Sequence, residues 1–193
     1  MVSTDPTLSI CGETDSAATA LQRVQELELD LAIVDLSLKD GGGLQLIKTL
    51  CVAAPELPVL VLSMHDEALF AERALKAGAR GYIMKQEAVV GLIDAVRQVL
   101  SGRIYLSEHM SQHLLERIRP GVQAQETGLS LLTDRELEVF ELIGRGVSTA
   151  LIAEQIGVSV KTVETHRSNI KTKLNLKDGF ELLKYATSWT ERP

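Results

Sequence analysis

Ser148-Thr-Ala-Leu-Ile-Ala-Glu-Gln-Ile-Gly-Val-Ser-Val-Lys-Thr-Val-Glu-Thr-His-Arg-Ser-Asn-Ile-Lys-Thr-Lys-Leu-Asn175 reads as a short helix over 148–156, a tight turn, and a longer helix over 160–175. Gly157 can take the left-handed conformation that ends a helix, and Ser159 can cap the next one. A short helix, a glycine turn and a second helix make a helix-turn-helix unit. Just upstream, Thr133-Asp-Arg-Glu136 has the form of a capping box, with glutamate three residues after a threonine cap. Helical patterns over 133–143 and 178–189 flank the unit, and nothing after residue 130 reads as a strand. A small all-α domain of four helices is expected over 130–193.

The register of the longer helix indicates a use. At ~100° per residue, Val160, Val163, Ile170 and Leu174 fall on one stripe, which is expected to face the core. The opposite side carries Lys161, Thr165, Ser168 and Thr172, flanked by Glu164 and Asn169. A face of small polar and cationic side chains can lie in a major groove and reach base edges. Lys171 and Lys173 stand at the flanks, where phosphates are in reach. Arg167 lies near the packed stripe, so it is expected to pair internally or meet a phosphate rather than read a base. His166 borders the core and reads as a packing residue. Periodicity alone would equally describe a solvated helix in a bundle.

The preceding sequence alternates apolar runs with amphipathic stretches. Leu31-Ala-Ile-Val-Asp-Leu36 and Pro58-Val-Leu-Val-Leu-Ser63 read as strands buried on both faces, and Gly81-Tyr-Ile-Met-Lys85 as a shorter third. Residues 7–12 are a candidate strand before them. Helices are expected over 16–28, 44–53, 67–77 and 87–100, with Asp15 capping the first and Gly78 stopping the third. This alternation implies βα units on a parallel sheet. Ser101-Gly102 breaks the pattern, one more helix is possible over 107–118, and Arg119-Pro-Gly-Val-Gln-Ala-Gln-Glu-Thr-Gly128 has the composition of a linker. The expected division is a first domain over 1–104, a linker over 105–129 and a second domain over 130–193.

Asp35, Ser63 and Lys85 each stand at or beside the C-terminal end of a predicted strand, where open α/β sheets bind ligands. There a carboxylate is a candidate nucleophile toward phosphorus, a hydroxyl a donor to phosphoryl oxygens and an ammonium their charge partner. Singly, each could be a cap, a turn residue or half of a surface ion pair. Gly41-Gly-Gly43 could cradle phosphate, though a mobile turn describes it better. Cys11 and Cys51 have neither metal-ligand spacing nor a disulfide framework.

Charge separates the same two regions. Residues 1–130 hold 11 Lys+Arg against 17 Asp+Glu, a net −6, whereas 131–193 hold 9 against 9; within these, 160–177 carry a local +4. That balance excludes indiscriminate coating of nucleic acid and favours a focused basic stripe. No apolar run approaches the ~20 residues of a membrane helix, and MVSTDPTLSI lacks the form of a secretion signal, so the cytoplasm is expected.

Leu132-Thr-Asp-Arg-Glu-Leu-Glu-Val139, Ile152-Ala153, Val158-Ser-Val-Lys-Thr-Val-Glu-Thr-His166 and Ile170-Lys-Thr-Lys-Leu174 resemble the signature of NarL/FixJ/LuxR-type DNA-binding domains, from about residue 131 to 189. The resemblance implies a DNA-facing set of Lys161, Thr162, Glu164, Thr165, Arg167, Ser168, Lys171 and Lys173, with a last helix serving packing and dimer contacts. The first domain is similar to a response-regulator receiver, a flavodoxin-like (CheY-like) α/β fold. Asp35 then matches the phosphoacceptor, Ser63 the hydroxyl switch residue, Lys85 the lysine, and Tyr82 the aromatic that turns inward on activation. By the same resemblance the partners are double-stranded DNA, a sensor histidine kinase, RNA polymerase and a second copy on DNA.

The first domain also departs from the receiver pattern. A receiver begins with a strand that ends in paired acids and is followed by a helix; those carboxylates hold Mg²⁺, with the phosphoacceptor as a further ligand. Residues 7–12 align with the receiver's second strand, so the first strand, its acids and the first helix are missing here, and the receiver reads as N-terminally truncated. Either translation starts upstream or phosphorylation is impaired, because Glu13 and Asp15 are poorly placed substitutes. The 7–12 strand is then expected to pair with the Asp35 strand, fray, or exchange between protomers. A regulator independent of phosphorylation, a dimerising decoy, and a phosphohydrolase using Asp35 are the alternatives to a phosphorylated transcription regulator, and an enzyme is the least expected of these.

Overall fold

Branched apolar runs separated by amphipathic stretches fold as their periodicity dictates. The computed structural model describes residues 5–38, 42–118 and 128–190. The chain divides into two units, Met1–Ala124 and Gln125–Pro193.

In the first unit, β1 (Ala32–Val34), β2 (Val59–Ser63) and β3 (Gly81–Met84) form a parallel sheet in the order β1-β2-β3. Val34 lies opposite Val61, and Ser63 opposite Met84. The strands therefore end side by side, which sets their following residues along one edge of the sheet. Helices α1 (Ala17–Glu26), α2 (Gly43–Ala53), α3 (Glu67–Ala77), α4 (Lys85–Leu100) and α5 (Glu108–Ile118) complete the unit. β2 is central: Val59, Leu60 and Val61 are fully buried. β1 departs from the expected strand buried on both faces, since Ile33 is 40% exposed on the outer strand of the described sheet.

Residues 7–12 are not a strand. Asp5 turns the chain by accepting from the Thr7 N–H at 2.9 Å and pairs with Arg97 of α4 at 2.6 Å, while Leu8 packs against the cluster of Leu60, Ile83 and Leu92. The segment gains an apolar contact and an ion pair on the α4 side of the sheet instead of a ladder, so neither pairing with β1 nor any other strand pairing is observed. The cap of α1 also differs: Ser16, not Asp15, is the N-cap and makes no side-chain cap bond. Gly78 does stop α3, at φ 110°. Lys85, read as the last residue of a strand, opens α4.

The second unit has a 3-10 turn over Gly128–Leu131 and then α6 (Asp134–Gly144), α7 (Thr149–Gln155), α8 (Val160–Lys173) and α9 (Gly179–Thr190). The capping box forms as predicted, with the Thr133 N–H donating to Glu136 Oε2 at 2.9 Å and the Glu136 N–H donating to Thr133 Oγ1 at 3.3 Å. Ser148 and Ser159 accept from the Leu151 and Thr162 amides, capping α7 and α8. Gly157 takes φ 67° between them. Leu137, Phe140, Ile143, Ile152, Val163, Ile170 and Leu182 make the core, with Tyr185 of α9 edge-on to Phe140 and Trp189 tilted against it.

Candidate functional site

Parallel register brings Asp35, Ser63 and Lys85 to one edge. Lys85 Nζ donates to Asp35 Oδ2 at 2.6 Å, both side chains being about one-third exposed (39% and 31%). The second carboxylate oxygen, Oδ1, accepts the Ser37 N–H at 3.0 Å. Asp35 is thus a carboxylate held by an ammonium and a backbone donor, the groups that can balance charge gathering on a phosphoryl oxygen. Ser63 is fully buried, and its hydroxyl oxygen accepts the His65 N–H at 3.1 Å. Tyr82 is also fully buried and donates its hydroxyl to the His65 carbonyl at 2.8 Å.

Two residues of this edge were not singled out from the sequence. Ser37 Oγ and His65 Nε2 lie 3.0 Å apart, joining the loop after β1 to the loop after β2. Each lies two residues beyond a strand-end candidate, so reading the loops as well as the strand ends would have found them. The glycine run has a structural use. A Cβ on Gly43 would stand 2.5 Å from Leu36 Cα and 2.6 Å from its carbonyl oxygen, so α2 can start against this loop only with glycine there. Gly42, at φ 73°, precedes it as the N-cap. Gly41 lies outside the described residues.

Each Asp35 oxygen accepts one hydrogen bond, and among the described residues no three His, Cys, Asp or Glu side chains stand together to hold a metal ion.

In the second unit, α8 buries Val163 and Ile170 completely and half-buries Leu174. Val160 is 50% exposed, against expectation: the first turn of α8 projects past the small core. Lys161, Glu164, Thr165, Ser168, Asn169 and Thr172 are exposed, and Thr162, His166, Arg167, Lys171 and Lys173 are half-buried. Thr165 and Thr172 donate their hydroxyls to the carbonyls of Lys161 and Ser168, at 3.0 and 3.1 Å. Arg167 lies 3.9 Å from Glu164 and packs toward Gly179, in keeping with internal pairing. Lys173 is a correction. Its Nζ donates to the buried Glu136 at 2.6 Å, so it braces α6 against α8 instead of standing free at the flank for a phosphate.

Residues 2–97 match the response regulator receiver domain, and residues 130–186 match the bacterial regulatory proteins of the luxR family. The oxygen regulatory protein NreC of Staphylococcus epidermidis is 39% identical over 173 residues, 86% of this chain and 79% of NreC. The chain belongs to the LuxR-family response regulators. Transcriptional activator protein ExaE of Pseudomonas putida is 37% identical over 90% of this chain and 81% of its own length. Among solved response regulators, Salmonella typhimurium RcsB superposes with a TM-score of 0.74 at 25% identity, over 97% of this chain and 88% of RcsB. RcsB bound to the P1flhDC promoter with phosphomimetic BeF3⁻ gives a TM-score of 0.71 at 26% identity, over 97% of this chain and 89% of RcsB. As in other members of this family, a parallel-sheet receiver precedes a helical DNA-binding domain in the chain.

Proposed function

We propose that this response regulator is a sequence-specific transcription regulator that binds duplex DNA as a homodimer through α8. Lys161, Thr162, Thr165 and Ser168 enter the major groove, with Glu164 beside them and Lys171 at a phosphate; two such helices would stand about one DNA turn apart. The observation that carries this reading is the exposed polar face of α8 opposite fully buried Val163 and Ile170. Joint alanine substitution of Lys161, Thr165 and Ser168 should abolish preference for operator over random DNA while leaving thermal unfolding unchanged. An unaltered preference, measured by competition binding, would reject the reading.

Asp35 is the proposed input site, phosphorylated by a sensor histidine kinase, with Ser63, Tyr82 and Lys85 relaying the change and RNA polymerase responding downstream. This input is proposed to be weak, which the lack of a three-ligand set for Mg²⁺ among the described residues supports. Fluoroberyllate with Mg²⁺ should therefore saturate only at high concentration, and tight binding would overturn the impairment. The same observation supports regulation independent of phosphorylation as the second reading. It also counts against steady phosphohydrolysis at Asp35. No described helix is long and apolar enough to cross a membrane, in keeping with action in the cytoplasm.

A further inference from the structure

The stretch between α4 and α5 is tied to the receiver unit at two points. Tyr105 runs beside β3, where its N–H donates to the Arg80 carbonyl at 3.0 Å and its carbonyl accepts the Tyr82 N–H at 2.9 Å. Two residues on, the Ser107 N–H donates to Glu67 Oε1 at 3.1 Å and the Ser107 hydroxyl donates to Glu67 Oε2. That hydroxyl also accepts the Met110 N–H at 3.0 Å, which places Ser107 in the position of a cap on α5. Glu67 is 8% exposed in the first turn of α3, and Met110 is buried. Glu67 stands two residues beyond His65, whose carbonyl receives the Tyr82 hydroxyl. The contacts form a closed circuit: Tyr82 to His65, along the chain to Glu67, across to Ser107, back to Tyr105 and again to Tyr82.

A buried carboxylate deprived of its donors carries a desolvation penalty, so Glu67 and Ser107 hold together or release together. We infer that Glu67 and Ser107 form a latch through which the Ser63–His65 loop sets the order of α5. This helix leads into the chain that joins the second unit, so the latch extends the regulatory reading, while its own existence does not depend on DNA binding.

Amide hydrogen exchange on the full chain tests it. Glu67→Gln and Ser107→Ala should each speed exchange in α5 about tenfold while leaving α4 amides at the parent rate. Ser107→Asp alone should exceed both, because two carboxylates then face each other. The double variant Glu67→Gln/Ser107→Asp should return toward the parent rate, the side-chain amide introduced in α3 donating to the carboxylate introduced at the cap. Tyr82→Phe, which removes the bond to His65, should also speed α5 exchange. Parent-rate α5 exchange in Glu67→Gln, no recovery in the double variant, or equal acceleration in α4 would each overturn the latch. Fast exchange in Ser107→Ala with none in Tyr82→Phe would overturn its coupling to the loop. Operator affinity is not the readout, so failure of the latch and failure of the DNA-binding reading are distinguishable.

Discussion

Glu136 combines two duties in one buried carboxylate. It closes the capping box of α6 with Thr133 and accepts Lys173 from the end of α8. Burial by itself pushes its pKa up; the Lys173 hydrogen bond, the Thr133 donors and the Lys173 charge outweigh that and hold it below the ordinary glutamate value. A carboxylate with a lowered folded pKa adds stability above its unfolded value and loses it as pH falls through the folded one. Glu136→Gln should therefore cost about 1.5 kcal/mol at neutral pH, the low end for a hydrogen bond to a charged group, since Lys173 keeps about one-third of its side chain exposed. The gap from the parent should narrow on acidification. Urea unfolding of both proteins over an acidic series measures it, and a gap that stays constant into strong acid would show that the charge is not what Glu136 contributes.

At the scale of elements, α2 is set by a backbone-to-backbone contact. Gly43 meets the Leu36 Cα and carbonyl, neither of which can rotate away. Gly43→Ala should destabilise the first unit by about 1–3 kcal/mol, as overpacking does, lowering its melting transition while that of the second unit holds. Calorimetry resolves the two, and an unchanged first transition would mean that the loop after Asp35 yields freely. Helix caps at Thr133 and Ser159 were legible because each lies next to the periodic run it opens, whereas Ser148, read as the first residue of its helix, is its N-cap. The strand expected over 7–12 does not form, because a short apolar run marks only the capacity to pair and tertiary contacts decide whether a ladder forms; Asp5–Arg97 and the Leu8 packing decided otherwise. Asp35, Ser63 and Lys85 could be read from strand ends. Ser37 and His65 could be read as loop residues beyond those ends, but their pairing could not, since it joins loops 28 residues apart and needs the sheet register to become visible.

For the molecule as a whole, charge has to be counted after folding. Residues 160–177 carry +4 in sequence, yet Lys173 is neutralised by Glu136 and Arg167 lies beside Glu164. With Lys161 in the groove, Lys171 and Lys177 remain as the candidate phosphate partners of this stretch in each copy. Counterion release lowers log K with log salt by about 0.9 per neutralised phosphate, so two contacts in each of two copies give a slope of about −3 to −4. Lys171→Gln should make that slope shallower by about 2 and weaken binding to operator and random DNA alike. Lys173→Gln should leave the slope nearly unchanged and instead lower the unfolding temperature of the second unit, because its charge is answered within the protein. Fluorescence anisotropy titrations across a salt series, paired with thermal unfolding, separate the two lysines. If Lys173→Gln cost as much slope as Lys171→Gln, the Glu136 pair would have to open on DNA, and α6 would lose a brace whenever the regulator bound.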